Sequence, residues 1–405
     1  MEIKEFIESL KKSNFSLAVE NEKLVLKGDR KILGKEEIQA IQSNEFIINY
    51  IKEHKSELVE YLSFTVDKLT TEKKSKNITA IYPMSGLQEG ILFHGLYNEG
   101  TGAYLEQFTC NLTGIEVATF IKSWDYVLRK HSILRSSFLY DQASVPIQCV
   151  YAKVQLPVEV LDLSELSDDE QLKEISNYEE TDLTKPFNFK VAPLIRIGLF
   201  RLQKNRYHMV WTSHHLLFDG WSIPILMQEF LTNYELVASG KEVNIGEEDR
   251  YEDYIRYIER NSKEQQETYW RNYLNEVEQS TLLPFITNST ERNKGGGEYG
   301  SVVLELNNNT TAKVKNFAQS TRVTVNTVMQ AVWSFLLHKY TGNRNITYGV
   351  VVSGRPDNLP NVEQRVGLYI NTLPLRSAYK NNYLLTQWLH SLQSEQVRSR
   401  EYQYT

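Results

Sequence analysis

From Ile78 to Thr405 the chain alternates between segments patterned as strands and segments patterned as helices. Arg206–Ser213, Gly300–Leu306 and Ile346–Val352 are rich in β-branched and aromatic residues and read as strands. Ile223–Ala238 and Val325–Tyr340 carry apolar residues at helical spacing. Such alternation predicts an α/β or α+β layered fold, in which helices cover sheets. With 405 residues, 41% hydrophobic and 24% charged, the chain has the composition of a globular protein of two to three folded units.

The first 63 residues read as a separate small unit of αββαα pattern. Ile3, Phe6, Ile7 and Leu10 place one apolar stripe on a first helix. Two β-rich runs between Phe15 and Lys27 flank Asn21-Glu22 as a hairpin, closed by Gly28-Asp29 and Gly34. Helices are predicted over Lys35–Gln42 and Glu45–Leu62, the second with Phe46, Ile47, Tyr50 and Ile51 on its apolar face. Residues 64–77, rich in Thr, Lys and Ser, read as a linker. Gly295-Gly-Gly297 leads into a strand pattern and no Gly-Lys-Ser/Thr follows, so it reads as a surface loop rather than a phosphate cradle.

Several classes of function are disfavoured. The net charge is −6, the pI is near 5.9, and no basic block of the kind that neutralises nucleic-acid phosphates is present. Cys110 and Cys149 are too few for a disulfide framework and lack metal-ligand spacing, so they read as two reduced thiols of a cytoplasmic protein. No basic-then-apolar leader opens the chain, and no run approaches the ~18 apolar residues of a membrane span. Twenty-four tyrosines is a high count that suits large cores or broad clefts without naming a ligand.

The segment that carries chemistry is Ser213-His214-His215-Leu216-Leu217-Phe218-Asp219-Gly220-Trp221-Ser222. It follows the apolar strand Tyr207-His-Met-Val-Trp211 and precedes a helix whose entry is marked by Ser222 and Pro224. A His at such a turn can act as a general base near neutral pH. The Asp four residues on can fold back to hold the turn or an imidazole, and Gly220 allows a positive φ or the close approach of substrate. A His-His-x-x-x-Asp-Gly string is rare by chance at average residue usage. Two rival chemistries are weaker. Adjacent residues on a strand face opposite sides, so His214 and His215 do not make a metal pair, and no third ligand cluster is apparent. A serine hydrolase of the nucleophile-elbow kind needs Gly-x-Ser-x-Gly, which is missing.

His214-His-x-x-x-Asp219-Gly220 resembles the core motif of the condensation domains of nonribosomal peptide synthetases, and more loosely that of the wider chloramphenicol-acetyltransferase-like superfamily. Four further segments resemble that family's motifs in order. They are Tyr82-Pro-Met-Ser-Gly-Leu-Gln-Glu-Gly-Ile-Leu-Phe-His94, Arg129-Lys-His-Ser-Ile-Leu-Arg-Ser-Ser-Phe138, Tyr251-Glu-Asp-Tyr254 and Val366-Gly-Leu-Tyr-Ile-Asn-Thr-Leu-Pro-Leu-Arg376. The resemblance covers Ile78 to Thr405. It implies two acetyltransferase-like lobes, 78–250 and 251–405, with a tunnel between them. Carrier proteins would enter from opposite ends, their phosphopantetheine arms bearing a donor acyl thioester and an acceptor aminoacyl thioester. The reaction is then peptide-bond formation, an acyl transfer needing no cofactor bound by this chain. By the resemblance His215 is catalytic, orienting the acceptor α-amine or taking its proton. His214 and Asp219 are structural, and Asp219 is expected to pair with Arg135 across the lobe. Gly220 and the following helix N-terminus would lie near the developing oxyanion.

The wording of the opening motif resembles the subtype that follows an epimerised donor, which implies a donor ending in a D-residue. His214 argues against the heterocyclising relatives, which carry Asp there. The first 63 residues resemble the TubC-type N-terminal docking domain, whose hairpin edge accepts a linear segment from the tail of an upstream subunit. Lys23, Lys27, Arg30 and Lys31 would favour an acidic segment there, or else form a solvated edge that deters aggregation. The sequence departs from the family in carrying Tyr369 where Phe is usual. The family's last two motifs do not appear before Thr405, so the second lobe is expected to be incomplete and an adenylation domain to follow in a longer protein. Two other readings stay open: an inert docking and recognition piece of a synthetase, and a free-standing CoA-dependent acyltransferase.

Overall fold

The computed structural model describes residues 6, 10, 15–20, 23–28, 44–55, 77–97, 104–141, 145–277, 281–285, 300–379, 382 and 384–404. The N-terminal hairpin is present: β1 (Phe15–Glu20) pairs antiparallel with β2 (Lys23–Gly28). Phe6, Leu10, Phe15 and Tyr50 are buried, and Phe6 stacks on Tyr50 with ring centroids 4.1 Å apart. Tyr50 lies on α1 (Glu45–Glu53), whose first turn is capped by Asn44 accepting from the N–H groups of Phe46 and Ile47. The helix predicted over Lys35–Gln42, the linker up to residue 76 and Gly295–Gly297 lie outside the described residues. So do Arg30, Lys31 and the side chains of Lys23 and Lys27.

The next elements are β3 (Ile78–Pro83), α2 (Gly86–Tyr97), β4 (Leu105–Thr113), α3 (Val117–Lys130), a 3₁₀ turn Ser132–Arg135, β5 (Ser136–Leu139), β6 (Ile147–Tyr151), β7 (Val158–Asp162), α4 (Asp168–Leu183), β8 (Ile195–Gln203), β9 (Arg206–His214) and α5 (Ser222–Ala238). They build two sheets, β3-β6-β5 and β4-β9-β8-β7, the latter antiparallel except for the parallel pair β7–β8. The four-stranded sheet is covered on both faces. Trp211 of β9 packs on Trp124 of α3, which stacks on Phe230 of α5 at 5.0 Å between centroids. On the opposite face Val210 and Phe200 meet Ile175 and Tyr178 of α4. The period-2 pattern of β9 is thus apolar on both sides, as a central strand between two helical layers requires.

After α6 (Glu252–Arg260) and α7 (Lys263–Tyr273), the second part contains α8 (Asn308–Ser320), α9 (Val325–Thr341), β10 (Asn345–Val352), β11 (Asn371–Ala378) and α10 (Leu385–Arg400). Here β10 and β11 form a two-stranded antiparallel sheet over a small core of Ala318, Val323, Ala331, Leu375, Leu389 and Leu392. The strand expected over Gly300–Leu306 does not form. Residues 301–306 are irregular and without a ladder partner among the described residues, and Val302 is 99% exposed. Apolar alternation supplies one face of a strand, but a strand exists only where a neighbour accepts its hydrogen bonds. No helix among the described residues is long and apolar enough to cross a membrane. Cys110 and Cys149 are free.

The segment 353–370, between β10 and β11, leaves the second part and packs into the first. Leu359, Val362, Val366, Leu368 and Tyr369 of this strap belong to the same buried cluster as Trp124, Trp211 and Phe218. Part of the tyrosine excess resides here. Tyr251, Tyr254, Tyr257, Tyr369 and Tyr404 form one chain of ring contacts beneath the strap.

Candidate active site

The His-His-x-x-x-Asp-Gly turn spans the end of β9 and the start of α5. The two histidines face opposite ways. His214, paired with Leu105 in the β4–β9 ladder, is buried against Phe189 at 4.9 Å between ring centroids. Its Nδ1 accepts the Leu216 N–H at 3.1 Å, so a neutral ring carries its proton on Nε2. Burial, reinforced by the neighbouring His215, pushes its pKa down to about 3. His214 is therefore a neutral brace that ties the turn to its own strand.

His215 lies one residue beyond the strand. Its backbone N–H donates to the Tyr104 carbonyl at 2.9 Å, and Tyr104 holds the left-handed φ of 64° at the entry to β4. The imidazole is 20% exposed, and its Nε2 lies 3.6 Å from Oε1 of Glu106, whose side chain is 37% exposed. Glu106 opposes Ser213 in the ladder, so it shares a face with His215 and reaches it diagonally. Sequence reasoning missed Glu106. The ladder register alone brings the two together, and one sequence does not reveal it.

Asp219 is buried and makes several contacts. Oδ2 accepts the N–H groups of Tyr369 and Ile370 at 3.1 and 3.3 Å; Oδ1 accepts from Ser222 Oγ at 3.2 Å and Arg355 Nη2 at 3.3 Å. The expected partner Arg135 is not among these. It lies on the 3₁₀ turn after α3, where its guanidinium donates to the carbonyls of Leu128 and Tyr151 and pairs with Glu248. Arg135 thus closes the end of α3, and the cation that meets Asp219 comes from the strap. Arg355 also donates to the carbonyls of Val362 and Arg365 and lies 4.3 Å from the Tyr369 ring centroid. Tyr369, the position where Phe is usual, forms a buried aromatic floor for this guanidinium.

The strap bonds to the turn along its backbone too. Asp219 N–H donates to the Gly367 carbonyl at 3.2 Å, and Gly367 N–H donates to Ser222 Oγ at 3.2 Å. Gly354, just before Arg355, has φ +61°, and a Cβ there would fall 1.6 Å from the Tyr369 carbonyl oxygen. The opening motif contributes from the other side. Gln88 of α2, wholly buried, donates to the Leu216 carbonyl at 3.0 Å and to Gln148 at 3.3 Å.

Gly220 departs from expectation in one respect. Its φ is not positive, and a Cβ there would meet nothing within 4 Å, so the space beside it is open. The first N–H groups of α5 are also engaged: Ser222 donates to the Asp219 carbonyl at 3.0 Å, and Ile223 to the Gly220 carbonyl at 3.4 Å. These two are therefore not free oxyanion donors. Among the described residues no three His, Cys, Asp or Glu side chains gather as a metal cage.

A family profile described as "Condensation domain" matches residues 78–405, the entire stretch that holds these features. The chain belongs to the condensation-domain family. Bacitracin synthase 3 of Bacillus licheniformis is 32% identical over 328 residues, 81% of this chain and 5% of that protein. Surfactin synthase subunit 3 of Bacillus subtilis is 30% identical over 325 residues, 80% of this chain and 25% of that one. The chain thus spans a quarter or less of these relatives. Among solved structures, the cyclization-docking bidomain of the EpoB NRPS from Sorangium cellulosum superposes with TM-score 0.64 at 18% identity, covering 99% of this chain and 78% of that one. The first condensation domain of the calcium-dependent antibiotic synthetase gives TM-score 0.60 at 19% identity, covering 80% of this chain and 76% of that one. Both share the fold of this chain.

Proposed function

We propose that this chain catalyses amide-bond formation between a donor acyl thioester and an acceptor aminoacyl thioester, both carried on phosphopantetheine arms of carrier proteins, as part of a larger synthetase. The observation that carries the reading is the division of labour within the histidine pair. His214 is sealed and neutral, whereas His215 is open beside a carboxylate, on a turn held by Asp219, Arg355 and Gln88. In the proposed step the acceptor nitrogen bonds to the donor carbonyl carbon and the C–S bond breaks. The proton shed by nitrogen passes to His215 Nε2 and then to the departing sulfur, so protons balance without a further reactant. A thioester is already activated, and holding the amine and carbonyl in line supplies much of the rate. The open space beside Gly220 is where the reacting carbonyl would approach.

A single-turnover assay with carrier-loaded donor and acceptor tests the reading. His215→Ala should lower the rate by roughly 10²–10⁴-fold, the usual worth of a positioned acid–base group. Product formed equally well by His215→Ala would remove it. Gly220→Ala should fold normally, because its Cβ meets nothing within 4 Å, and the bulkier Gly220→Val should slow condensation by filling the approach.

Two finer parts belong to the same proposal. The opening motif, Tyr82 to His94, supports a donor ending in a D-residue, and donors differing only in that stereocentre would show the preference. The hairpin β1–β2 supports docking of an upstream subunit's linear tail by strand addition at its edge. Removing residues 1–63 should weaken coupling to that subunit while leaving condensation of directly supplied carriers intact.

A further inference from the structure

We infer that Glu106 and His215 together form the seat of the acceptor's α-amine, which makes Glu106 a substrate-binding residue of the condensation reaction. The inference deepens the condensation reading above and rests on it. Glu106 Oε1 and His215 Nε2 are 3.6 Å apart. That is too long for a good hydrogen bond between them, yet one nitrogen can lie about 2.9 Å from both. The other atoms of the two groups, Glu106 Oε2 and His215 Nδ1, are sequestered and have no hydrogen-bond partner among the described residues. The half-open side chains therefore present Oε1 and Nε2 outward. Glu106 has no other cation within ion-pair distance among the described residues, so its carboxylate next to the turn lacks a fixed counter-charge.

An α-amine supplies what this pair lacks. Free α-amino groups have pKa values near 7.7–8.0, so at neutral pH the acceptor arrives largely as an ammonium. The carboxylate favours that charge. After one proton is lost to solvent, the neutral amine still has two N–H groups, one for Oε1 and one for Nε2, and its lone pair is left for the donor carbonyl. The Oε1 contact holds the amine in place, while the Nε2 contact is the one along which the proton leaves. A hydroxyl acceptor has one donor and no charge, so it fills only half of the seat. Glu106 thus selects amine over hydroxyl. Its position is set by the β4–β9 register and by the Tyr104 carbonyl that holds the His215 backbone.

The test is a binding titration of the whole chain with two unreactive acceptor mimics, an aminoacyl-pantetheine amide and its α-hydroxyacyl counterpart, at pH 7. Wild type should bind the amine mimic about 10-fold more tightly, the scale of one hydrogen bond to a charged group. Glu106→Gln, isosteric and half-exposed, should bring the two affinities to within about 2-fold, and Glu106→Asp should restore part of the preference. A thermal melt of each variant checks that the fold is kept. Full retention of the amine preference in Glu106→Gln, or its absence in wild type, would overturn the seat. A wild type that discriminates the mimics yet forms no amide would remove the condensation reading and leave the seat standing. A wild type that forms amide while Glu106→Gln keeps the preference would remove the seat alone.

Discussion

Among the described residues, the parts of the condensation region before and after residue 250 are packed differently. In the first, a four-stranded sheet lies between two helical layers, and Trp124, Trp211, Phe120, Phe230 and Leu199 are sealed from solvent. Among the described residues of the second, a two-stranded sheet rests on a cluster of six buried residues, and α9 leaves Met329, Val332, Trp333 and Leu336 exposed. His215, the residue proposed to react, lies in the first part. The second lobe contributes one piece, the strap 353–370, and that piece is buried in the first lobe's core. Among the described residues, the groups that hold the turn therefore come from the first part and from the strap, which clasps it.

The largest expected effect strikes the clasp. Gly354→Ala places a Cβ on the Tyr369 carbonyl in a left-handed backbone, so the strap cannot seat as it does. A denaturation midpoint well below wild type, with condensation lost, is the expected outcome; an unchanged midpoint would break the comparison. Next come two leucine truncations. Leu199→Ala, in the closed core, should cost about 4–5 kcal/mol, and Leu389→Ala about 2–3 kcal/mol, because a looser surround collapses onto the gap. Equal costs in urea melts would show that the second lobe is as tightly packed as the first.

A smaller effect is titratable. His214 has its folded pKa pushed down to about 3, below the ordinary 6.5. The unfolded chain therefore binds this proton first. The stability that a neutral His214 contributes is complete above pH 6.5 and declines as pH falls toward about 3. His131 works the other way. Its burial alone would lower the pKa, but hydrogen bonds and charge from Asp249 and Glu229 outweigh it and raise the net value. Its contribution is complete below pH 6.5 and is lost as pH rises through the raised value. Melts across pH 4–7 should show a shallower acid loss in His214→Gln than in wild type; parallel profiles would contradict the sealed, neutral His214. The smallest effect is expected at Val302, where Val302→Ser should shift stability by less than about 0.5 kcal/mol because the side chain is solvated.

The local patterns in the sequence predicted the local structure well. The apolar run before His214 became β9, and Ser222 and Pro224 marked the start of α5, where proline's missing N–H falls in the first turn and costs nothing. His214 ends β9 and is buried, and His215 just past it is part-exposed, in keeping with the alternation expected of a strand. Contacts distant in sequence were not legible. Asp219 finds Arg355, 136 positions on, rather than Arg135, because the strap doubles back into the first lobe. Glu106 meets His215 only through a strand register. Residues 301–306 show the converse limit: a good strand pattern without a neighbour remains irregular.

The Asp219–Arg355 contact clasps the strap to the His-His-x-x-x-Asp-Gly turn. A double-mutant cycle on stability with Asp219→Asn and Arg355→Met measures it most directly. The clasp predicts a coupling above about 1 kcal/mol between these two positions, and additivity within about 0.5 kcal/mol when Asp219→Asn is combined with Arg135→Met. Additive effects at Asp219 and Arg355, or coupling of Asp219 to Arg135 instead, would contradict it.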